Sequence, residues 1–193
     1  MCLLLLDQNT LHRDLKSHNV LLDQNHQAKL SDFGLSKTRS GVSSSLPTAA
    51  PAAAGTLHWM APEILGLKAK HTERSDVYAL GMVFWEISSR QFPFQEYENS
   101  KQSELLRQSI REGERPTIPQ ETPPTFAALI ARCWAQRAED RPVCADIVKA
   151  LRGEATPTMS SLFTLYGGAV SGNTLDNTEI QDPFLSITNT GSL

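Results

Sequence analysis

Two short apolar runs, Val20-Leu21-Leu22 and Ala28-Lys29-Leu30, flank the turn-prone Asp23-Gln24-Asn25. That pattern predicts a small β-hairpin. From Lys37 to Gly55 the sequence is Ser, Thr, Pro, Ala and Gly without a period, which predicts a mobile loop. Beyond it the periods are helical. Asp76 to Ser89 is apolar nearly all round, with Val77, Ala79, Leu80, Met82, Val83, Phe84, Trp85 and Ile87, as expected for a helix buried on every side. Ser103 to Glu112 and Thr125 to Ala135 are amphipathic, the second preceded by Pro123-Pro124. Pro142 opens a further helical stretch from Val143 to Leu151. Proline suits these first turns because its missing N–H is not needed there. After Gly153 the chain is rich in Thr, Ser, Asn and Gly with only scattered apolar residues, and is expected to be disordered. There is no internal repeat.

The 193 residues, 40% of them hydrophobic, suffice for one sizeable core plus a tail. The formal charge is -3, but beyond Arg152 the only charged residues are Glu154, Asp176, Glu179 and Asp182, so the tail carries -4 and the rest +1. Neither part has the basic surface of a nucleic-acid binder or a polybasic membrane patch. Cys2, Cys133 and Cys144 lack metal-ligand spacing and disulfide density, and are expected as small buried hydrophobes. Met1 to Leu6 is too short for a signal-peptide core, and no run approaches the roughly 18 apolar residues of a membrane span. A cytoplasmic protein without membrane insertion is expected.

The chemistry lies in His12-Arg13-Asp14-Leu15-Lys16-Ser17-His18-Asn19, followed by Asp32-Phe33-Gly34 and, after the Ser-rich loop, by Ala61-Pro62-Glu63. Taken singly, these residues are ordinary turn, cap or loop residues. Together they provide what phosphoryl transfer needs: an acceptor hydroxyl held in line, a proton acceptor, and cations that neutralise charge on the phosphate. Asp14 can orient a hydroxyl and take its proton, and Lys16 can place a positive charge beside the transferred group. Asn19 and Asp32 offer hard oxygen ligands suited to Mg2+.

In these three motifs and their order the chain resembles protein kinases. The match runs from about Leu11 to Arg152. The resemblance implies a mostly α fold: a kinase-like C-terminal lobe (1–152) with a short β-hairpin at the catalytic loop, followed by the tail (153–193). It implies ATP and Mg2+ as cofactors, with Asp14 and Lys16 catalytic, Lys16, Asn19 and Asp32 facing the nucleotide, and Asn19 and Asp32 on the metal. His12 and Phe33 are implied as stacked core side chains, Phe33 and Gly34 belonging to the Asp-Phe-Gly motif. Glu63 is implied to pair with Arg141, and Asp76 to hold the catalytic-loop backbone. Arg13 marks kinases whose activation loop is ordered by phosphorylation, which implies an upstream activating kinase acting on the loop, with the Ser43 to Thr48 cluster favoured.

Lys16, and Thr56 bridging the catalytic aspartate and lysine, resemble the serine/threonine pattern. Trp59-Met60 and Cys133-Trp134 resemble the tyrosine-kinase-like branch, which includes mixed-lineage and Raf-like enzymes. Serine/threonine transfer to protein substrates within that branch reconciles both, with dual specificity as the alternative. Only eleven residues precede His12. The glycine-rich loop, strand lysine, helix glutamate and hinge of the family's β-rich N-terminal lobe are therefore expected to be missing. A truncated active kinase is the expected identity; the alternative is an inactive kinase-lobe fragment serving as a protein-interaction module.

Overall fold

A computed structural model describes residues 10–33, 37–38, 56–66, 69–97 and 102–154. Cys2, Gly34, the Ser43 to Thr48 cluster and the tail beyond Glu154 lie outside the described residues. The described chain is mostly helical, with short antiparallel strand pairs beside the residues of interest. Strands β1 (Thr10–Leu11), β2 (Val20–Leu22), β3 (Ala28–Leu30) and β4 (Lys37–Thr38) pair as β1 with β4 and β2 with β3. The register Val20↔Leu30, Leu21↔Lys29, Leu22↔Ala28 is the hairpin expected from the sequence. Its turn is fixed by Asp23, whose Oδ1 accepts from the amides of Asn25 and Gln27, both at 2.9 Å. The β4 strand corrects one expectation. Lys37 and Thr38 are not loop but pair with Leu11 and Thr10, because β-pairing depends on a distant partner that local composition does not reveal.

Four α-helices follow among the described residues: α1 (Glu73–Ser89), α2 (Ser103–Glu112), α3 (Pro124–Cys133) and α4 (Cys144–Leu151). The first begins three residues before the apolar run that announces it. The Thr72 amide donates to Ser75 Oγ at 3.1 Å, and this polar cap rather than the hydrophobic pattern sets the start. It ends where Arg90 takes a left-handed conformation, φ 55°, and returns its amide to the Glu86 carbonyl at 2.8 Å. Helix α1 is the centre of the core. Ser75 through Trp85 are all buried, whereas Ile87, expected inside, is 63% exposed. The last turn has run past its neighbours.

Helix α1 packs chiefly against α3. The approach is close at Gly81, where an added Cβ would lie 2.8 Å from Cys133 Cβ and 3.1 Å from the Trp134 backbone nitrogen. Cys133 and Cys144 are both buried, and burial pushes the Cys133 thiol up to about 12. Gly81→Ala is expected to destabilise the chain by about 1–3 kcal/mol, because overpacking against backbone outweighs alanine's better helix propensity. Urea unfolding checks it, and an unchanged midpoint would mean that α3 can retreat. No helix among the described residues is long and apolar enough to cross a membrane.

Candidate functional site

The segment from His12 to Asn19 is held from below by the start of α1. Asp76, 3% exposed, accepts the His12 amide at 2.8 Å on Oδ2 and the Arg13 amide at 3.0 Å on Oδ1. Arg13 can present its amide this way because it adopts a left-handed φ of 69°, an uncommon state for a residue with a side chain. Burial pushes the Asp76 carboxyl up, more than the two amides draw it down. His12, 1% exposed, has both ring nitrogens engaged with backbone: Nε2 lies 3.0 Å from the Ser31 carbonyl, and Nδ1 faces the Asp14 amide at 3.4 Å. With Nδ1 accepting the Asp14 amide, Nε2 is the nitrogen that donates to Ser31, so both ring nitrogens serve the backbone. The Phe33 ring leans on it at 5.0 Å but remains 40% exposed.

Asp14, Lys16, Asn19 and Thr56 converge. Lys16 Nζ donates to Asp14 Oδ2 at 2.8 Å and to Thr56 Oγ1 at 3.1 Å, across 40 residues of sequence. Asn19 Nδ2 donates to the Asp14 carbonyl at 2.7 Å and to Asp14 Oδ2 at 3.2 Å. Among the described residues both side-chain donors to the Asp14 carboxylate fall on Oδ2, so Oδ1 is the oxygen left to accept a hydroxyl proton. Since the Asn19 amide nitrogen is committed, its Oδ1 is the end left for a cation. Asp32, exposed and with φ 59°, supplies a carboxylate at the exit of the β2–β3 hairpin.

The donor chemistry of Asn19 and Asp32 fits Mg2+. No cluster of three or more His, Cys, Asp or Glu that could hold a metal occurs among the described residues. An ion bound by two such oxygens would take its other ligands from water and phosphate, as Mg2+ commonly does.

Glu63 and Arg141 form a bidentate pair, Nη1 to Oε1 at 2.7 Å and Nη2 to Oε2 at 2.9 Å, with the Arg141 side chain fully buried. Burial pushes the Glu63 carboxyl up, but Arg141, with help from Ser75, outweighs it and leaves the group below the ordinary value. Arg141 also donates to the carbonyls of Arg74, Ala135 and Gln136, and its guanidinium lies 5.1 Å from the centre of the Tyr78 ring. One side chain thus joins Glu63, the first turn of α1 and the chain after α3.

A cleft beside this framework is lined by Arg13, Asp14, Thr56, His71 and Asp76. Arg13 Nε is buried there without a hydrogen-bond acceptor among the described residues. Burial, then the Arg13 charge, push His71 below its ordinary value. Three contributors escaped sequence reasoning: Ser75, which donates to Glu63 at 2.9 Å, and Glu86 and Ser17, joined at 2.8 Å. The signal for Glu86 was present, as the lone carboxylate between Trp85 and Ile87 in an apolar run.

Comparison with known proteins agrees with this architecture. The family profile for protein tyrosine and serine/threonine kinases matches residues 2–151. A probable serine/threonine-protein kinase of Dictyostelium discoideum is 37% identical over 161 residues, covering 80% of this chain and 19% of the relative. The tyrosine-protein kinase ZAP-70 of Mus musculus is 42% identical over 136 residues, 70% of this chain and 21% of that protein. The serine/threonine-protein kinase STY46 of Arabidopsis thaliana is 35% identical over 170 residues, 84% of this chain and 28% of that protein. The chain therefore spans only 19% to 28% of the length of these relatives. With the profile covering nearly all of the described residues, the chain belongs to the protein tyrosine and serine/threonine kinase family.

Proposed function

We propose that residues 1–152 form the C-terminal lobe of a protein kinase that transfers the γ-phosphate of ATP to serine and threonine hydroxyls of proteins. The group is the tyrosine-kinase-like one, with residues 153–193 as an appended tail and a cytoplasmic place of action. The observation that carries this reading is the Asp14–Lys16–Thr56 arrangement. A lysine 2.8 Å from the carboxylate and 3.1 Å from a threonine on the facing segment places a positive charge next to the proton acceptor. A small aliphatic hydroxyl must come deep into such a site, so a threonine-braced lysine beside the base favours serine and threonine over the longer tyrosine.

Asp14 orients the acceptor hydroxyl and takes its proton on Oδ1 while Lys16 holds Oδ2. Asn19 holds the Asp14 backbone, and its carbonyl and the Asp32 carboxylate would hold the cation. Bound Mg-ATP supplies the phosphoryl group and the neutralising charge. Everything else is positioning and electrostatics, which dominate this class of reaction.

In a transfer-competent form of the protein, peptides differing only in the acceptor are expected to be labelled at serine and threonine. Labelling confined to tyrosine would overturn the specificity, and no labelling of any acceptor would overturn the activity.

Regulation by an upstream kinase is part of the same reading. Arg13 Nε, which has no acceptor among the described residues, is a donor of the kind that a phosphate of charge near -2 satisfies by charge-assisted hydrogen bonds. Replacing Ser43, Ser44, Ser45 and Thr48 together with Ala is expected to lower activity markedly, with no further effect once Arg13→Ala is present. If the fourfold variant matched the parent's rate after treatment with an activating kinase, this cluster would not be the switch.

A further inference from the structure

Glu86 sits near the end of the buried face of α1, yet its carboxylate reaches the site from beneath. Oε1 accepts the Ser17 hydroxyl at 2.8 Å and Oε2 accepts Trp59 Nε1–H at 2.7 Å. Ser17 follows Lys16 directly, and Trp59 lies three residues beyond Thr56. The two segments already joined by Lys16 and Thr56 are thus joined a second time, through one carboxylate on the central helix. The His18 ring meets the Trp59 ring edge-on at 5.8 Å, a third contact between the same segments. His58 and Phe92 also meet the Trp59 ring edge-on, at 5.9 and 5.2 Å, so the indole is held by aromatic contacts as well as by its N–H.

We infer that Glu86 is a positioning residue for phosphoryl transfer: it locks the catalytic loop at Ser17 to the 56–60 segment at Trp59, and so fixes the distance from Asp14 to the acceptor hydroxyl. This rests on the transfer reading above.

A carboxylate in an apolar run is unfavourable unless it is hydrogen-bonded. Burial does push Glu86 above its ordinary value, against the Trp59 and Ser17 bonds that draw it down. Simple packing would be served better by a leucine. A leucine could not receive either donor, and would leave the indole N–H and the serine hydroxyl to find other partners.

Two measurements separate this proposal from the reading it depends on. In the 193-residue chain, the Trp59 indole N–H resonance, identified by its loss in Trp59→Phe, is expected downfield as for a carboxylate-bound indole. It should move upfield in Glu86→Leu with the helical circular dichroism unchanged, and amide exchange at residues 14–19 should quicken. Ser17→Ala removes one arm only: it should leave the indole resonance in place and still quicken exchange at 14–19, which keeps the test informative if Glu86→Leu fails to fold. In a transfer-competent form, Glu86→Leu is expected to lower kcat about 10- to 100-fold, the scale of a misplaced reacting group, with KM for ATP unchanged. Glu86→Gln, which retains one acceptor, should recover part of that loss. An indole resonance indifferent to Glu86→Leu, or an unaltered kcat in a protein whose Asp14→Asn variant is inactive, would overturn the positioning role. Full turnover by Asp14→Asn would instead overturn the transfer reading, and leaves the indole and exchange measurements to report on the lock itself.

Discussion

Asp14→Asn is expected to lower turnover about 100- to 10,000-fold in a transfer-competent form of the protein, the range contributed by a positioned general base. The substitution keeps the side chain's size, and its amide oxygen can still accept from Lys16 or Asn19, which both converge on Asp14 Oδ2. What it loses is the ability to take a proton, along with the negative charge that faces Lys16. The fold should survive, because the carboxylate's partners are local and the segment is anchored independently by Asp76 through the His12 and Arg13 amides. The measurement is kcat alongside a thermal melt. A variant with full turnover would remove Asp14 from the chemistry, whereas a variant lost to unfolding would show that the Lys16–Asp14 pair carries structure.

Arg141→Ala is expected to destabilise the chain by about 3–5 kcal/mol, the usual consequence of removing one partner from a buried pair. An exposed pair would be worth only about 0–1 kcal/mol. The geometry favours the larger figure: the Arg141 side chain is fully buried, although the Glu63 side chain keeps 28% of its surface. Its loss strands Glu63 and also leaves the carbonyls of Arg74, Ala135 and Gln136 without their donor. The effect should depend on pH in a defined direction. The folded Glu63 carboxyl lies below its ordinary value. The pair's stabilisation is therefore complete above the ordinary glutamate range and is lost as pH falls through the lowered folded value. The gap between parent and variant should accordingly narrow in acid. Urea unfolding at neutral and acidic pH measures both effects, and a midpoint unmoved by Arg141→Ala would mean that the network relaxes at no cost.

The local signals were reliable where a segment carries its own explanation. The β2–β3 hairpin was readable from two apolar runs around Asp23-Gln24-Asn25, since turn chemistry and pairing lie within eleven residues. Helix α2 has the bounds its amphipathic period gives, Ser103–Glu112. The α1 start was misjudged by three residues because the cap is polar and precedes the pattern. The β4 strand was missed because its partner, β1, lies some 26 residues upstream.

The candidate site divides along the same line. Sequence alone determined which residue types stand together in the His12–Asn19 and Asp32–Gly34 motifs, because one short stretch of chain holds Asp14, Lys16 and Asn19 within reach of one another. It also pointed to Glu63, Asp76 and Arg141, through the family they resemble. Only the tertiary structure decided that Lys16 touches Thr56, that Ser75 supports Glu63, and that Glu86 joins Ser17 to Trp59. These contacts span 12 to 69 residues of sequence. Each depends on where α1 passes beneath the loops, and the helix takes that course because its apolar residues must be buried on all sides. A polar side chain's partner is set by that packing, which no local pattern encodes.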